Sequence, residues 1–557
     1  PTGTRVVGVG DTALANVNSA VANITAVGHA ALNALTTGNN NTAFGDRAGN
    51  AVTTGADNTF IGAGTGIATT TASNNTAVGH TAMLSNTTGA SNVAVGNDAL
   101  GANTTSSENT AVGYAALTAQ TTGTANTAIG WQAMKTNVHG DRNVAVGNEA
   151  LEAYNPTSAG TDSYNVAVGF RALTANTTAG NNTAIGGLAL GANTTGNSNT
   201  AIGSTALSAH TTGANNTAVG RYALESNTTA SNNTAVGLAT LQNNTTANNN
   251  TAVGYAALNL NTTGTSNVAV GKSTLDANTD GNRNTGLGES ALGGNTSGDN
   301  NTGVGQGALA GNTTANNNTA VGYQSLVANT TGTENVAVGS ISLDALTTGF
   351  YNTAVGHGSL GSTTTASSNT AVGQGALASN TTAANNTAVG RSALAANTTG
   401  TQSTAVGTNA GNAVTTANQV TCIGCFSGEA VTGEGNTFVG SASGQLITSG
   451  AKNTILGRYN GNQNSLDIRT ASNNIVLSDG DGVPRMYYNG SSSYWFAQAI
   501  YDRTSAGSAN VLVGSDGGLQ RATSSLRYKN TIADATHGLT ELLALRPVTY
   551  KGNNDGD

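Results

Sequence analysis

A chain of 557 residues is long enough for several globular domains, yet only 8% of it is charged and 4% aromatic, too little bulky side chain for ordinary large cores. Its 19 Lys and Arg against 27 Asp and Glu give a net charge of -8 with no basic block, which removes the electrostatic footprint of a nucleic-acid binder and makes an anionic membrane surface a poor partner. Disordered chains are usually richer in charge and lack a regular apolar beat, whereas Val, Ile and Leu recur here on schedule, so order through repetition is expected.

The chain opens at Pro1 with neither Met nor a signal-peptide pattern, which reads as a processed or cut N-terminus. No apolar run reaches the length of a transmembrane helix, so membrane insertion is not expected. A repeat emerges faintly at Val6, then at Ile24, Asn41, Asn58 and Asn75, and holds a step of 17 residues through Asn92, Asn109, Asn126 and Asn143. Between Asn143 and Asn165 the step is 22, with the extra residues in "AYNPTSAGTDSY" at a turn, where a coil accepts insertion. From Asn165 the step of 17 runs to Asn386, Ser403 and Val420, and after one step of 16 the beat continues through Asn436 and Asn453. A short fixed period signals stacked supersecondary units, about 27 of them, rather than independent domains.

Each rung reads Asn-Thr-Ala-Val-Gly-x-x-Ala-Leu-x-x-Asn-Thr-Thr-Gly-x-x, numbered here as positions one to seventeen. Two short extended segments separated by Gly- or Asn-bearing corners are predicted, because helical apolar spacing is never sustained and a Gly and a Thr pair recur in every turn-length window. Alternation puts Thr76 and Val78 on one face of the first segment and Ala77 on the other. Both faces are small or apolar, so one packs on the chain's own coil and the other on something else. Gly at position five, as in Gly79, fits a corner of positive φ, and Asn at positions one and twelve is expected in left-handed geometry with its amide in a ladder along the stack. At about 4.8 Å per rung the coil would be on the order of 130 Å long.

The fold class is therefore all-β, a parallel β-solenoid or β-roll over 1–458, with a β-rich connector or cap over 459–523 where the beat decays and Tyr494 and Trp495 appear. Other apparent motifs dissolve into the repeat. "VGKST" at Val270 to Thr274 lacks the first Gly of a phosphate loop, Ser266 standing there, and "GAGTG" at Gly62 to Gly66 is followed by no helix. Cys422 and Cys425 take positions three and six of one rung without a second ligand pair, so no metal site and no cofactor are expected, and two half-buried thiols are the simpler reading. Positions three, four, eight and nine are nearly uniform, but position six takes every chemistry, including Tyr114, Trp131, Phe170, Tyr255 and Tyr323, with Asp46, Arg221 and Lys272 in other rungs. That row should face solvent, either as unconstrained surface or as contacts for a surface glycan or polymer.

"NTAVG" and "NVAVG" resemble the head repeat of trimeric autotransporter adhesins, and "NNTAVGYxAL" followed by "NTTG" is similar to repeats of phage and bacterial tail-fibre proteins. The period here is longer than in those heads. The resemblance implies a homotrimeric fibre. At the C-terminus, Ser524-Ser525-Leu526-Arg527-Tyr528-Lys529 followed by "ELLALRPVTY" resembles the start of the endosialidase-type intramolecular chaperone, the peptidase S74 family. That resemblance implies a short α+β segment over 524–557, with Ser524 as nucleophile and Lys529 as the base of a single self-cleavage. Lys529 could serve only with its pKa lowered by desolvation or by a cation such as Arg527. The family domain continues beyond the stretch present here, so cleavage by this chain as given is not expected. The function expected is a structural attachment fibre, a virion tail fibre ahead of a bacterial cell-surface adhesin, with no substrate-directed activity; an ice-binding solenoid and an enzyme-bearing tailspike rank lower.

Overall fold

The computed structural model describes residues 4–18, 21–158 and 160–497, with two short strands at Val511–Val513 and Leu519–Arg521. The chain forms two compact units, 1–384 and 385–557. Both are built from the same coil, and no helix occurs among the described residues.

Each regular rung contributes one three-residue strand at positions two to four, paired in parallel and in register with the next: Thr76 opposite Val93, Ala77 opposite Ala94, Val78 opposite Val95. In the first unit this column runs from Thr4–Val9 to Thr370–Val372, and in the second from Thr387–Val389 to Ile475–Ser478. Parallel pairing thus continues past residue 458. The alternation holds: position three is buried and positions two and four are partly exposed.

The second extended segment is absent. Positions six to eleven fold as consecutive turns, shaped by left-handed residues: Thr81 at position seven (φ 56°) and Met83 at position nine (φ 53°), with Ser91 at position seventeen (φ 58°) beyond them. Asn75 and Asn86 are not among the left-handed residues, which corrects the sequence expectation. Left-handed geometry costs a non-Gly residue about 1–2 kcal/mol. What offsets it is stacking, since each rung directs its N–H groups to its neighbours: Thr76 to Asn92, Gly79 to Ile61, Thr81 to Ala63, Met83 to Ala99, Ser85 to Gly101 and Thr87 to Thr104. The run "GAGTG" is explained by the same geometry, placing glycine at positions five, seven and nine of one rung.

Position five has no freedom. Gly79 sits at φ 136°, and a Cβ there would lie 2.5 Å from the carbonyl oxygen of Gly96 in the next rung. The lysine motif at Val270 to Thr274 is one such corner, with Gly271 at φ 136°.

Both asparagine rows point inward as buried ladders. Asn92 N–H donates to Asn75 Oδ1 (3.0 Å), while Asn75 Nδ2 reaches across the rung to the Gly89 carbonyl (3.0 Å). At position twelve, Asn86 Nδ2 donates to the same carbonyl (3.0 Å) and Asn103 Nδ2 to Asn86 Oδ1 (2.9 Å). The interior is therefore amide on one side and Ala and Leu, from positions three, eight and nine, on the other.

The insertion is held by a short parallel pair, Gly140–Asp141 with Thr161–Asp162. Tyr154 takes the inward place of the ladder Asn and hydrogen-bonds Ser163. In the second unit the last parallel strand pairs antiparallel with Pro484–Asn489, which pairs with Tyr494–Ala497. The register Val476, Tyr487, Phe496 carries the inward face onto two stacked rings, 4.7 Å between centroids. The segment 524–557, with Ser524 and Lys529, lies outside the described residues.

Candidate functional site

Two surfaces differ from an ordinary polar exterior. The first is the outward strand face, where positions two and four stack into rows of Thr and of Val, Ile or Leu. Ile129, Ile185 and Leu287 in the first unit, and Ile423 and Leu456 in the second, are each exposed over 39–47% of their surface. A parallel sheet is normally covered on both faces, and here the coil covers only one. In the second unit the outward face continues through the register Ile475, Tyr488, Trp495, with Tyr488 and Trp495 in tilted contact at 5.4 Å. Composition alone does not reveal that continuation, because it depends on an antiparallel register.

The second surface is the corner at position six. Tyr114, Trp131, Phe170, Tyr255 and Tyr323 all stand exposed there, as the row's variability predicts. Tyr114 and Trp131 occupy adjacent rungs, their centroids 6.4 Å apart and planes within 14°. Phe170 lies two rungs beyond Trp131, and Tyr255 and Tyr323 are isolated from these three. Charged residues of the row pair between adjacent rungs, His29 with Asp46 at 2.9 Å and Lys272 with Glu289 at 3.1 Å. The His29 hydrogen bond, aided by Arg47, holds the Asp46 carboxyl below its ordinary range. A further exposed pair, Phe350 and Tyr351, meets edge to face at 5.1 Å at positions sixteen and seventeen, where most rungs carry small or polar residues.

The remaining candidates separate. Cys422 is fully buried, and burial pushes its thiol up to about 12, whereas Cys425 is exposed, so the pair is not two half-buried thiols but one inward and one outward. Alternation of strand and corner aims them at opposite sides of the wall. Among the described residues no group of three or more His, Cys, Asp or Glu could hold a metal ion, and no helix is long and apolar enough to cross a membrane. No known family model matches the sequence, and a search of curated proteins finds no relative.

Proposed function

We propose that the chain is the shaft of an attachment fibre, built from three copies that associate through the outward strand face. The observation that carries this reading is the row of Val, Ile and Leu at position four, which each rung turns outward and leaves without cover. Burying a half-exposed Val or Ile on a partner copy stabilises by about 1 kcal/mol, and the row repeats the gain rung after rung. A coil with such a face can close around an axis with copies of itself, and the resemblance of the repeat to trimeric adhesin heads favours three copies. The resemblance of 524–557 to an intramolecular chaperone favours a virion tail fibre over a bacterial cell-surface adhesin, with Ser524 and Lys529 as the self-cleaving pair once that domain is complete. The target is a surface glycan or other cell-surface receptor, and no substrate turnover is part of the proposal.

Sedimentation equilibrium tests it directly. A mass three times that of the chain is expected, and a folded monomer at every accessible concentration would overturn the reading.

A further inference from the structure

In the first unit three of the five aromatic residues at position six fall in one short stretch. Tyr114, Trp131 and Phe170 fall at position six within four consecutive rungs, with Asn148 at the same position between the last two. The coil has no use for them in packing. Gly187, Ser204 and Ser340 occupy position six of other rungs, whose strands keep the same parallel register. Rings that stand about half exposed at a position where Gly or Ser serves the coil equally well, in a chain where aromatics are only 4% of residues, remain available to a ligand.

Their geometry suits a flat, weakly polar one. At 6.4 Å and 14° the Tyr114 and Trp131 rings are nearly parallel yet too far apart for one to cover the other, and both stay about half exposed. Successive rungs space the row at about 4.8 Å. Position seven edges it with Gln132, Glu149 and Arg171. Arg171 hydrogen-bonds Glu149 and lies 5.3 Å from the Phe170 ring centroid, so the two charges cancel locally.

We infer that the row from Tyr114 to Phe170 is a saccharide-binding ladder, taking an extended neutral polysaccharide along the corner. The C–H faces of successive sugar rings rest on the aromatic rings, while Gln132, Asn148 and the Glu149 and Arg171 pair exchange hydrogen bonds with hydroxyls. The inference rests on the attachment reading and specifies its ligand. A polyanion is disfavoured by the net charge of -8, and a polycation finds no uncompensated carboxylate in the row. Weak contacts of this kind gain strength when several copies engage one polymer.

Trp131 and Trp495 are the two tryptophans of the chain, so Trp495→Phe leaves Trp131 as the sole tryptophan reporter. That variant is titrated with xyloglucan, galactomannan, laminarin and dextran, with polyglutamate as charged control, following tryptophan emission and retardation in native gels. A saturable emission change with at least one neutral polysaccharide is expected, about tenfold weaker when Tyr114→Ser or Phe170→Ser is added. Serine already stands at position six in Ser204 and Ser340, so these variants fit the coil, and circular dichroism verifies it. No response to any neutral polysaccharide, an equal response to polyglutamate, or unchanged affinity in the serine variants would overturn the ladder. So would a Trp131 shift that follows protein concentration without sugar, which would assign the row to contact between copies. Mass in solution separates the two proposals: a monomer that binds sugar removes the trimer alone, and a trimer that binds none removes the ladder alone.

Discussion

At position twelve a single histidine interrupts an amide ladder. His210 is fully buried, and Nε2 replaces the usual Asn by bonding the Gly213 carbonyl at 2.8 Å. The ladder runs in one direction, each Nδ2 donating to Oδ1 of the preceding rung, as from Asn295 to Asn278. A residue with no N–H or O–H aimed along the ladder therefore orphans the acceptor before it. Asn193 Oδ1, preceding His210, has no partner, nor has Asn329 Oδ1, preceding Leu346. His210→Asn restores the donor and should stabilise the first unit by about 1–2 kcal/mol in chemical unfolding. Burial also drives the imidazole pKa below its ordinary value of 6.5, with no charged group contributing. The unfolded chain binds that proton more readily, so this contribution is complete above pH about 6.5 and declines as the pH falls below it. His210→Asn should remove the decline that sets in below pH about 6.5, before Asp46, Asp467 and Asp479, all shifted down, take up protons; Asp276 and Asp344, shifted up by burial, act there with the opposite sign in both proteins. An unchanged slope in that window would refute the assignment. The cysteines give a second residue-scale test. Iodoacetamide should label Cys425 in the native protein and reach Cys422 only after denaturation, because thiolate is the reactive form and burial suppresses it.

The rung is a ring of fixed cross-section, and its inward positions trade volume with one another. Where position three is Phe60 rather than Ala, position nine is Gly66 rather than Leu, and a Cβ on Gly66 would lie 2.3 Å from the Phe60 ring. Phe438 repeats the exchange with Gly428 and Gly444, whose Cβ atoms would meet its ring at 2.8 and 2.7 Å. Gly66→Leu alone should cost about 1–3 kcal/mol or more through overpacking, and Phe60→Ala alone about 3–5 kcal/mol through a cavity. The double variant recreates the common rung and should recover most of the loss, a coupling that a double-mutant cycle by chemical unfolding measures. Additive losses would mean that the two side chains do not share one space. The period, the strand and its alternation are legible in the sequence, because they are set by side-chain size and by the order of "TAV", whereas the exchange is visible only once positions three and nine are seen to share the interior. The left-handed residues are not legible. Thr81, Met83 and Ser91 carry no glycine signal, and their φ values follow from closing a 17-residue ring in which backbone bonding between rungs outweighs local preference. The position-six row was legible for the opposite reason, since unrestricted residue size implies solvent.

At the scale of the whole molecule, the coil bonds the backbone of neighbouring rungs but does not cover its outward strands, and on the proposed association the remaining apolar area is buried between copies. The gain per rung is small and the number of rungs large, which makes assembly tolerant of any one substitution and sensitive to several in sequence. Val236, Val253 and Val270 stand at position four of three consecutive rungs in the first unit. Changing all three to Lys keeps the inward Ala235, Ala252 and Ala269 untouched, so the circular dichroism of the coil should persist. In a trimer closed on this face, three copies would bring nine ammonium groups to one short stretch of the axis, where each must lose water without a counter-charge. Sedimentation should then show monomers, or associations weakened by at least a hundredfold. The matched control places three Lys at position six, in Ser204, Gln306 and Ser340, which adds the same charge to the solvent corner and should leave the mass unchanged. Assembly equally weakened by both sets would indicate simple charge repulsion, and assembly unaffected by the first set would place the interface on another face of the coil.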